Sequence, residues 1–251
     1  MNSSREQEKL WETIYELAGK EHFSKTSMFP YEKYSTVKKF LEKILKFINE
    51  KYGNFSIKIL EVGSEPGDYL LRKIFGRLGP IFPEYIAMDI AKPTKKETRY
   101  PFKRIKGTVT GIPLKEKSID LILCGFVFSY VDKKKAAAEL KRILKKNGRM
   151  ILFLHSKKTP LLFKKNELEE DALEQEGELV KKVTVLSEEV RENAFESLKE
   201  AESFFKKSGF KVEQSTDFIL KRKDSIKLGS EAKKRYKEGH DSFGFGLILK
   251  K

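Results

Sequence analysis

The chain predicts an α/β fold: a parallel sheet with helices on both faces. Three observations carry that prediction. Short apolar runs recur at 57–62 (IKILEV), 84–90 (EYIAMDI) and 118–126 (SIDLILCGF), each with the length and content of a strand buried on both faces. Helical patterns stand between and after them, and strands alternating with helices build parallel sheets. A glycine-bearing turn follows the first run, which is where ligands meet open α/β sheets.

The elements follow in order. Residues 4–19 carry Leu10, Ile14 and Leu17 at helical spacing, with Trp11 beside them. Residues 35–51 carry Val37, Phe40, Leu41, Ile44, Leu45 and Ile48, an apolar stripe of helical period. After the strand at 57–62 and the turn SEPGDY, LLRKIFGRLG reads as a helix closed by Gly79. The strands at 84–90 and 118–126 come next. DKKKAAAELKRILKK is an amphipathic helix closed by Asn147–Gly148, and RMILFLH is a further strand. Residues 156–186 break the alternation with an acidic stretch, KKNELEEDALEQEGE, expected as a solvated helical insertion. A helix then runs from Ser187 as N-cap to Gly209. FKVEQSTDFIL and FGFGLILK are two late strands. The expected organisation is effectively a single domain, residues 55–251, preceded by a helical extension over 1–54.

Composition narrows the class. Hydrophobic residues make up 39% and charged residues 35%, too apolar for a disordered chain and too polar for a membrane protein. No run approaches the ~18 apolar residues of a membrane span. The opening MNSSREQEKLWE is charged where a signal peptide needs an apolar core. One cysteine excludes an intramolecular disulfide and a cysteine-built zinc site, and the three scattered histidines form no metal-binding spacing. A cytoplasmic setting is expected, with no metal. The net charge of +15 fits an anionic partner such as RNA, or solubility alone. The lysines fall in scattered doublets, such as Lys145–Lys146 and Lys206–Lys207, with no arginine-rich block.

The candidate site starts at Glu61-Val-Gly63-Ser64-Glu65-Pro-Gly67. Gly63 permits a tight turn and close approach of a ligand to the backbone. The helix expected after Gly67 offers free N–H groups and a positive dipole end. Asp89 ends the second strand, where an acid accepts hydrogen bonds from ribose hydroxyls, or caps a local turn. A glycine turn after strand one and an acid after strand two point to an adenosine ligand. The dinucleotide fingerprint G-x-G-x-x-G fails, because Glu65 and Asp68 occupy its second and third glycine positions.

This ordered set resembles the class I S-adenosylmethionine-dependent methyltransferases, in particular the methyltransferase type 11 and ubiquinone-biosynthesis-type group. Asp89–Ile90 matches the family's acidic ribose site. The segment from Gly107 through Thr108 and Val109 to Leu114 resembles the one lining adenine. Residues 118–131 resemble strand four and its active-site loop, and 140–152 the helix, glycine turn and strand five. The resemblance covers residues 55–250 and implies a Rossmann-like, doubly wound, seven-stranded sheet with an antiparallel closing hairpin. Two positions depart from the family pattern: Glu65 stands at the middle glycine, and Thr108 at the acid near the adenine amino group.

The resemblance implies S-adenosyl-L-methionine as cofactor, held by Glu61, Gly63, Ser64, Glu65, Gly67, Asp89, Ile90, Thr108, Val109, Cys124 and Gly125. It implies methyl transfer, chiefly alignment of a nucleophile with the methyl group in a site closed to water. Cys124 lacks the preceding proline of a covalent cytosine methyltransferase nucleophile and reads better as a small buried hydrophobe. Gly125-Phe-Val-Phe128 lacks the Asn/Asp-Pro-Pro-aromatic motif of base amino-methyltransferases. His155, at the end of strand five, is the candidate base, and Tyr130 a group that orients the acceptor or packs under a lid. Phe23, Tyr31, Tyr34 and Ser129 are candidate acceptor contacts, with residues 1–54 as lid. A small-molecule acceptor is the first expectation. An RNA or ribosomal-protein acceptor is the second, on the net charge. A degenerate binding protein without catalysis is the third, on Glu65 and Thr108.

Overall fold

The computed structural model describes residues 4–17, 35–53, 56–64, 84–91, 103–159, 188–219 and 242–251. Its helices are α1 (Ser4–Leu17), α2 (Ser35–Tyr52), α3 (Lys133–Ile143) and α4 (Leu198–Lys207). Its strands are β1 (Lys58–Val62), β2 (Glu84–Asp89), β3 (Lys103–Lys106), β4 (Ile119–Gly125), β5 (Leu144–His155), β6 (Lys211–Ile219) and β7 (Ser242–Lys250). They form one seven-stranded sheet in the order β3-β2-β1-β4-β5-β7-β6. β1 pairs in parallel with β2 and β4, β2 with β3, and β4 with β5. β7 runs antiparallel to both β5 and β6, which is the expected closing hairpin.

Alternation along the strands divides the core between two faces. Ile59, Leu123, Ile151 and Phe153 point to one face, where they meet Val37, Phe40, Ile44 and Ile48 of α2. Leu60, Ile122, Met150 and Leu152 point to the other, against Ala136, Leu140 and Ile143 of α3 and Phe205 of α4. The stripe on α2 is therefore a core stripe, although this helix falls within the 1–54 extension. Phe40 packs closely on β7 because Gly246 opposes it; a Cβ there would sit 2.4 Å from the ring. Full burial of such a ring contributes about 1.5–3 kcal/mol.

Several elements differ from the expectation. β3 (KRIK) carries no strand pattern, because three of its four residues are charged and it lies at the sheet edge. α3 ends at Ile143 rather than at Asn147–Gly148, because Leu144 turns extended and pairs with Ile119. The extra residues 145–148 are taken up by an irregularity before Arg149 pairs with Leu121. The helix expected from Ser187 to Gly209 is two pieces, 188–193 and α4. Phe195 leaves the helix to bridge Ser156, and its carbonyl accepts the Lys157 N–H at 3.1 Å. Ser197 is the N-cap of α4, its hydroxyl accepting the Glu200 N–H at 3.2 Å, while Ser187, the N-cap expected for the whole run, lies outside the described residues. The helix expected at 70–79 and most of the 156–186 insertion lie outside the described residues. Among the described residues no helix is long and apolar enough to cross a membrane.

Candidate functional site

The sheet order places the chain's reversal between β1 and β4: the chain moves outward through β2 and β3, then returns to the other side of β1. A crevice at the carboxyl ends of the strands follows from that topology. The residues at its rim are those ending β1, β2 and β4.

The turn after β1 is pinned to β2. The Met88 carbonyl accepts the N–H groups of Gly63 at 2.9 Å and Ser64 at 3.3 Å. Gly63 has φ of 75°, a left-handed conformation, and a Cβ on it would lie 2.6 Å from Val127 Cγ2. The turn thus packs directly onto the segment after β4. Glu61 is buried and accepts a hydrogen bond from the Tyr85 hydroxyl, which satisfies a charge that burial would otherwise penalise. Asp89 is also buried; its Oδ1 accepts the Ala91 N–H at 3.0 Å, fixing the carboxylate at the end of β2. Ile90 follows it, half-buried.

The segment after β3 closes one side. The Gly107 N–H donates to the Asp89 carbonyl at 2.9 Å. Thr108 pairs with Gly111 across a tight loop, its hydroxyl 3.2 Å from that of Thr110, with Val109 buried. α3 holds this loop in place. Glu139 Oε2 accepts the Ile112 N–H at 2.9 Å, and Arg142 donates to the carbonyls of Ile112 and Leu114, each at 2.9 Å. The two side chains also pair with each other, at 2.8 and 2.9 Å. That mutual bonding is the main cause holding the Glu139 carboxyl below, and the Arg142 guanidinium above, its ordinary pKa.

At the end of β4, Cys124 is fully buried, and burial pushes its thiol up to about 12. It is therefore a packed thiol with no nucleophilic thiolate at neutral pH. Gly125 follows it at the rim, half-buried. Phe126 takes a left-handed φ of 59°, a strained position for an aromatic residue. Its ring stacks on His155 with centroids 4.5 Å apart. Ser129 Oγ lies 3.3 Å from His155 Nδ1, and Tyr130 meets the same imidazole edge-on at 5.9 Å. Ser129, Tyr130 and His155 are thus brought together.

His155 is buried, and burial lowers its pKa from 6.5 to about 3. The folded state therefore holds it neutral, while the unfolded chain binds a proton below its ordinary value. Its contribution to stability is complete above about pH 6.5 and is lost as pH falls toward 3, at about 1.4 kcal/mol per pH unit. Urea unfolding between pH 6.5 and 4 should show that extra slope in the wild type and not in His155→Gln. Equal slopes would show that the imidazole is solvated.

α1 crosses the rim. Lys106, at the end of β3, pairs with Glu8 and, at 3.3 Å, with Glu12. Gln7 donates to the Tyr130 carbonyl, and Trp11 meets the Tyr130 ring edge-on at 5.5 Å. β2 and β1 lie between these two anchors in the sheet, so α1 passes over their carboxyl ends. Glu65, Gly67, Phe23, Tyr31 and Tyr34 lie outside the described residues.

Pattern reading missed Tyr85, Glu139, Arg142 and Lys106. The one local signal was the i, i+3 acid–base pair on α3. Among the described residues, no cluster of His, Cys, Asp or Glu could hold a metal ion.

Residues 60–152 match the family described as a methyltransferase domain. That match covers less than half of the chain, and over it the chain is similar to methyltransferases. The chain is 29% identical over 110 residues to an uncharacterized methyltransferase of Schizosaccharomyces pombe, covering 43% of each chain. It is 32% identical over 95 residues to an uncharacterized methyltransferase-like protein of the same yeast, covering 37% of this chain and 36% of that one. The matched region thus spans less than half the length of these curated relatives. Among solved structures, 1,6-didemethyltoxoflavin-N1-methyltransferase of Burkholderia thailandensis, with 1,6-didemethyltoxoflavin and S-adenosylhomocysteine bound, superposes with a TM-score of 0.57 at 10% identity. That alignment covers 100% of this chain and 91% of the other, and at that identity it carries the fold alone.

Proposed function

We propose that this chain binds S-adenosyl-L-methionine in the crevice between β1 and β4 and transfers its methyl group to a small-molecule acceptor held beneath α1. The observation that carries the reading is the convergence of the left-handed Gly63 turn and the fixed Asp89 carboxylate at the reversal of strand order.

The residues present suit that cofactor. A side chain at position 63 would strike Val127, so glycine there lets the turn close onto the segment after β4 and hold its shape at the rim. Asp89 is oriented to accept from ribose hydroxyls, with Ile90 beside it. Thr108 and Val109 form the adenine wall, held by Glu139 and Arg142. Glu61, with Ser64, supports the turn and faces the amino end of the ligand, while Cys124 and Gly125 form the floor. Bound there, the cofactor supplies an activated methyl on a sulfonium and a neutral leaving group.

The chain's own contribution is positioning and exclusion of water. α1 covers the rim through its anchors at Lys106 and Tyr130. Ser129, Tyr130 and His155 orient the acceptor, with Phe126 and Trp11 completing an aromatic wall. His155 acts through hydrogen bonds as a neutral imidazole, because its lowered pKa makes it a poor store for a proton. The acceptor is thereby one whose attacking atom needs no proton removed by His155 before the methyl transfer.

Titration calorimetry and thermal denaturation with S-adenosylmethionine and S-adenosylhomocysteine test this. Ligand at about 100 times Kd should add about 2.7 kcal/mol to stability. Absence of both heat and a melting shift at millimolar ligand would remove the reading and favour a binding protein that has lost the cofactor.

A further inference from the structure

We propose that the end of the sheet opposite the crevice is a docking surface for the phosphodiester backbone of RNA. Its centre is a cross-strand row in which Arg149 on β5 faces Lys250 on β7, and Lys250 faces Lys211 on β6. Glu213 neutralises Arg149 through two hydrogen bonds, at 2.6 and 3.0 Å. Among the described residues, no carboxylate lies within ion-pair distance of Lys211 or Lys250. Like charges directly opposite on paired strands cost about 0.2–1 kcal/mol, so stability gives no reason for the pair.

The neighbouring turn adds to the same field. The Lys117 N–H donates to the Arg142 carbonyl, and Lys141 Nζ donates to the Ser208 carbonyl at 3.2 Å. Lys251 Nζ reaches the Leu144 carbonyl at 2.6 Å, which brings a third ammonium to this corner. Burial first, then Lys117 and Lys141, pull the Lys251 ammonium below its ordinary pKa, against an opposing Glu116. Glu116 is exposed and lies 3.6 Å from Lys117, a surface pair that solvent largely screens. Asp120, the other nearby acid, is occupied by Lys145 at 2.7 Å and the Lys58 N–H at 3.0 Å.

Position and shape select the partner. The surface sits at the amino ends of the parallel strands, so its charge does not serve the crevice. Strand ends, turns and the last turn of α3 form it, and among the described residues no helix is set on it to enter a DNA major groove. Lysines are point charges that contact phosphates without reading bases, which suits a flexible strand lying along the face. The proposal needs no cofactor, and its test is independent of methyl transfer.

The test is fluorescence anisotropy of the full chain with a short mixed-sequence RNA, across a salt series. The wild type should bind with a log K that falls steeply with log salt, and Lys117→Glu/Lys211→Glu should weaken binding at least ~10-fold and flatten that slope. Glu at position 211 would face Lys250, so the thermal midpoint should hold. Lys117→Gln/Lys211→Gln should show a smaller loss in the same direction. Lys39→Glu/Lys43→Glu, on the exposed side of α2, changes the net charge equally and should leave affinity within about twofold. No RNA binding at low salt, an unaltered affinity in both position-117/211 variants, or an equal loss in the α2 control would overturn the proposal. So would equal competition from duplex DNA or phosphatidylserine vesicles at matched phosphate concentration.

Discussion

Gly63→Ala should lower both folding stability and cofactor affinity. Residue 63 sits at φ of 75°, where a Cβ meets its own backbone, and this costs about 1–2 kcal/mol. The same Cβ would stand 2.6 Å from Val127 Cγ2. Valine is stiff about its first side-chain torsion, so the turn or the segment after β4 must move, at a further cost of about 1–3 kcal/mol. The hydrogen bonds from Gly63 and Ser64 to Met88 would shift with it, widening the crevice. Denaturant unfolding should therefore show a loss of about 2–5 kcal/mol, with S-adenosylmethionine binding weakened in calorimetry. Adding Val127→Ala should recover the steric part and leave the backbone part. A Gly63→Ala midpoint equal to wild type would mean that the turn does not press on Val127.

Asp89→Asn separates binding from folding. Asparagine keeps an oxygen for the Ala91 N–H and removes the charge. The unfolding midpoint should stay close to wild type. Hydrogen bonds to a charged acceptor contribute about 1.5–3 kcal/mol, so affinity for S-adenosylmethionine should fall about 10–100-fold. Asp89→Ala should lose the same affinity and also about 1 kcal/mol of stability, because the Ala91 N–H then loses its partner. Unchanged affinity in Asp89→Asn would remove the ribose assignment, whatever the fold does.

The strands buried on both faces were the most legible part of the chain. β1, β2 and β4 read directly because each is a continuous apolar run with turn residues around it. β7 reads for the same reason, whereas β6, KVEQSTDFI, is a partly buried edge strand with only an apolar end at Phe218 and Ile219. β3 did not read, since an edge strand keeps its charges in solvent and its four residues, KRIK, carry no apolar pattern. The break at Phe195 was invisible because residues 188–207 are locally good helix; only the bridge to Ser156 makes leaving the helix favourable. Leu144 likewise belonged to the helical stripe until Ile119 offered it a strand partner.

The site divides in the same way. Gly63 and Asp89 were found because special backbone geometry and a strand-terminal acid leave local marks. Tyr85, Glu139 and Arg142 were not, because their work is done on loops and strands that the sequence separates from them. Glu139 and Arg142 hold a loop about 30 positions upstream, at 112 and 114. Lys106 and Glu8 are 98 positions apart.

The amino-acid order by itself determined the rhythm of strands and helices, the turn that needs glycine and the acid that ends β2, because each depends on neighbours within a few residues. Only the tertiary structure decided which helix clamps the Thr108 loop, that α1 lies over the rim, that His155 is held neutral, and that Lys211 faces Lys250. Those outcomes depend on burial and on strand register, and both arise only when distant segments of the chain are packed together.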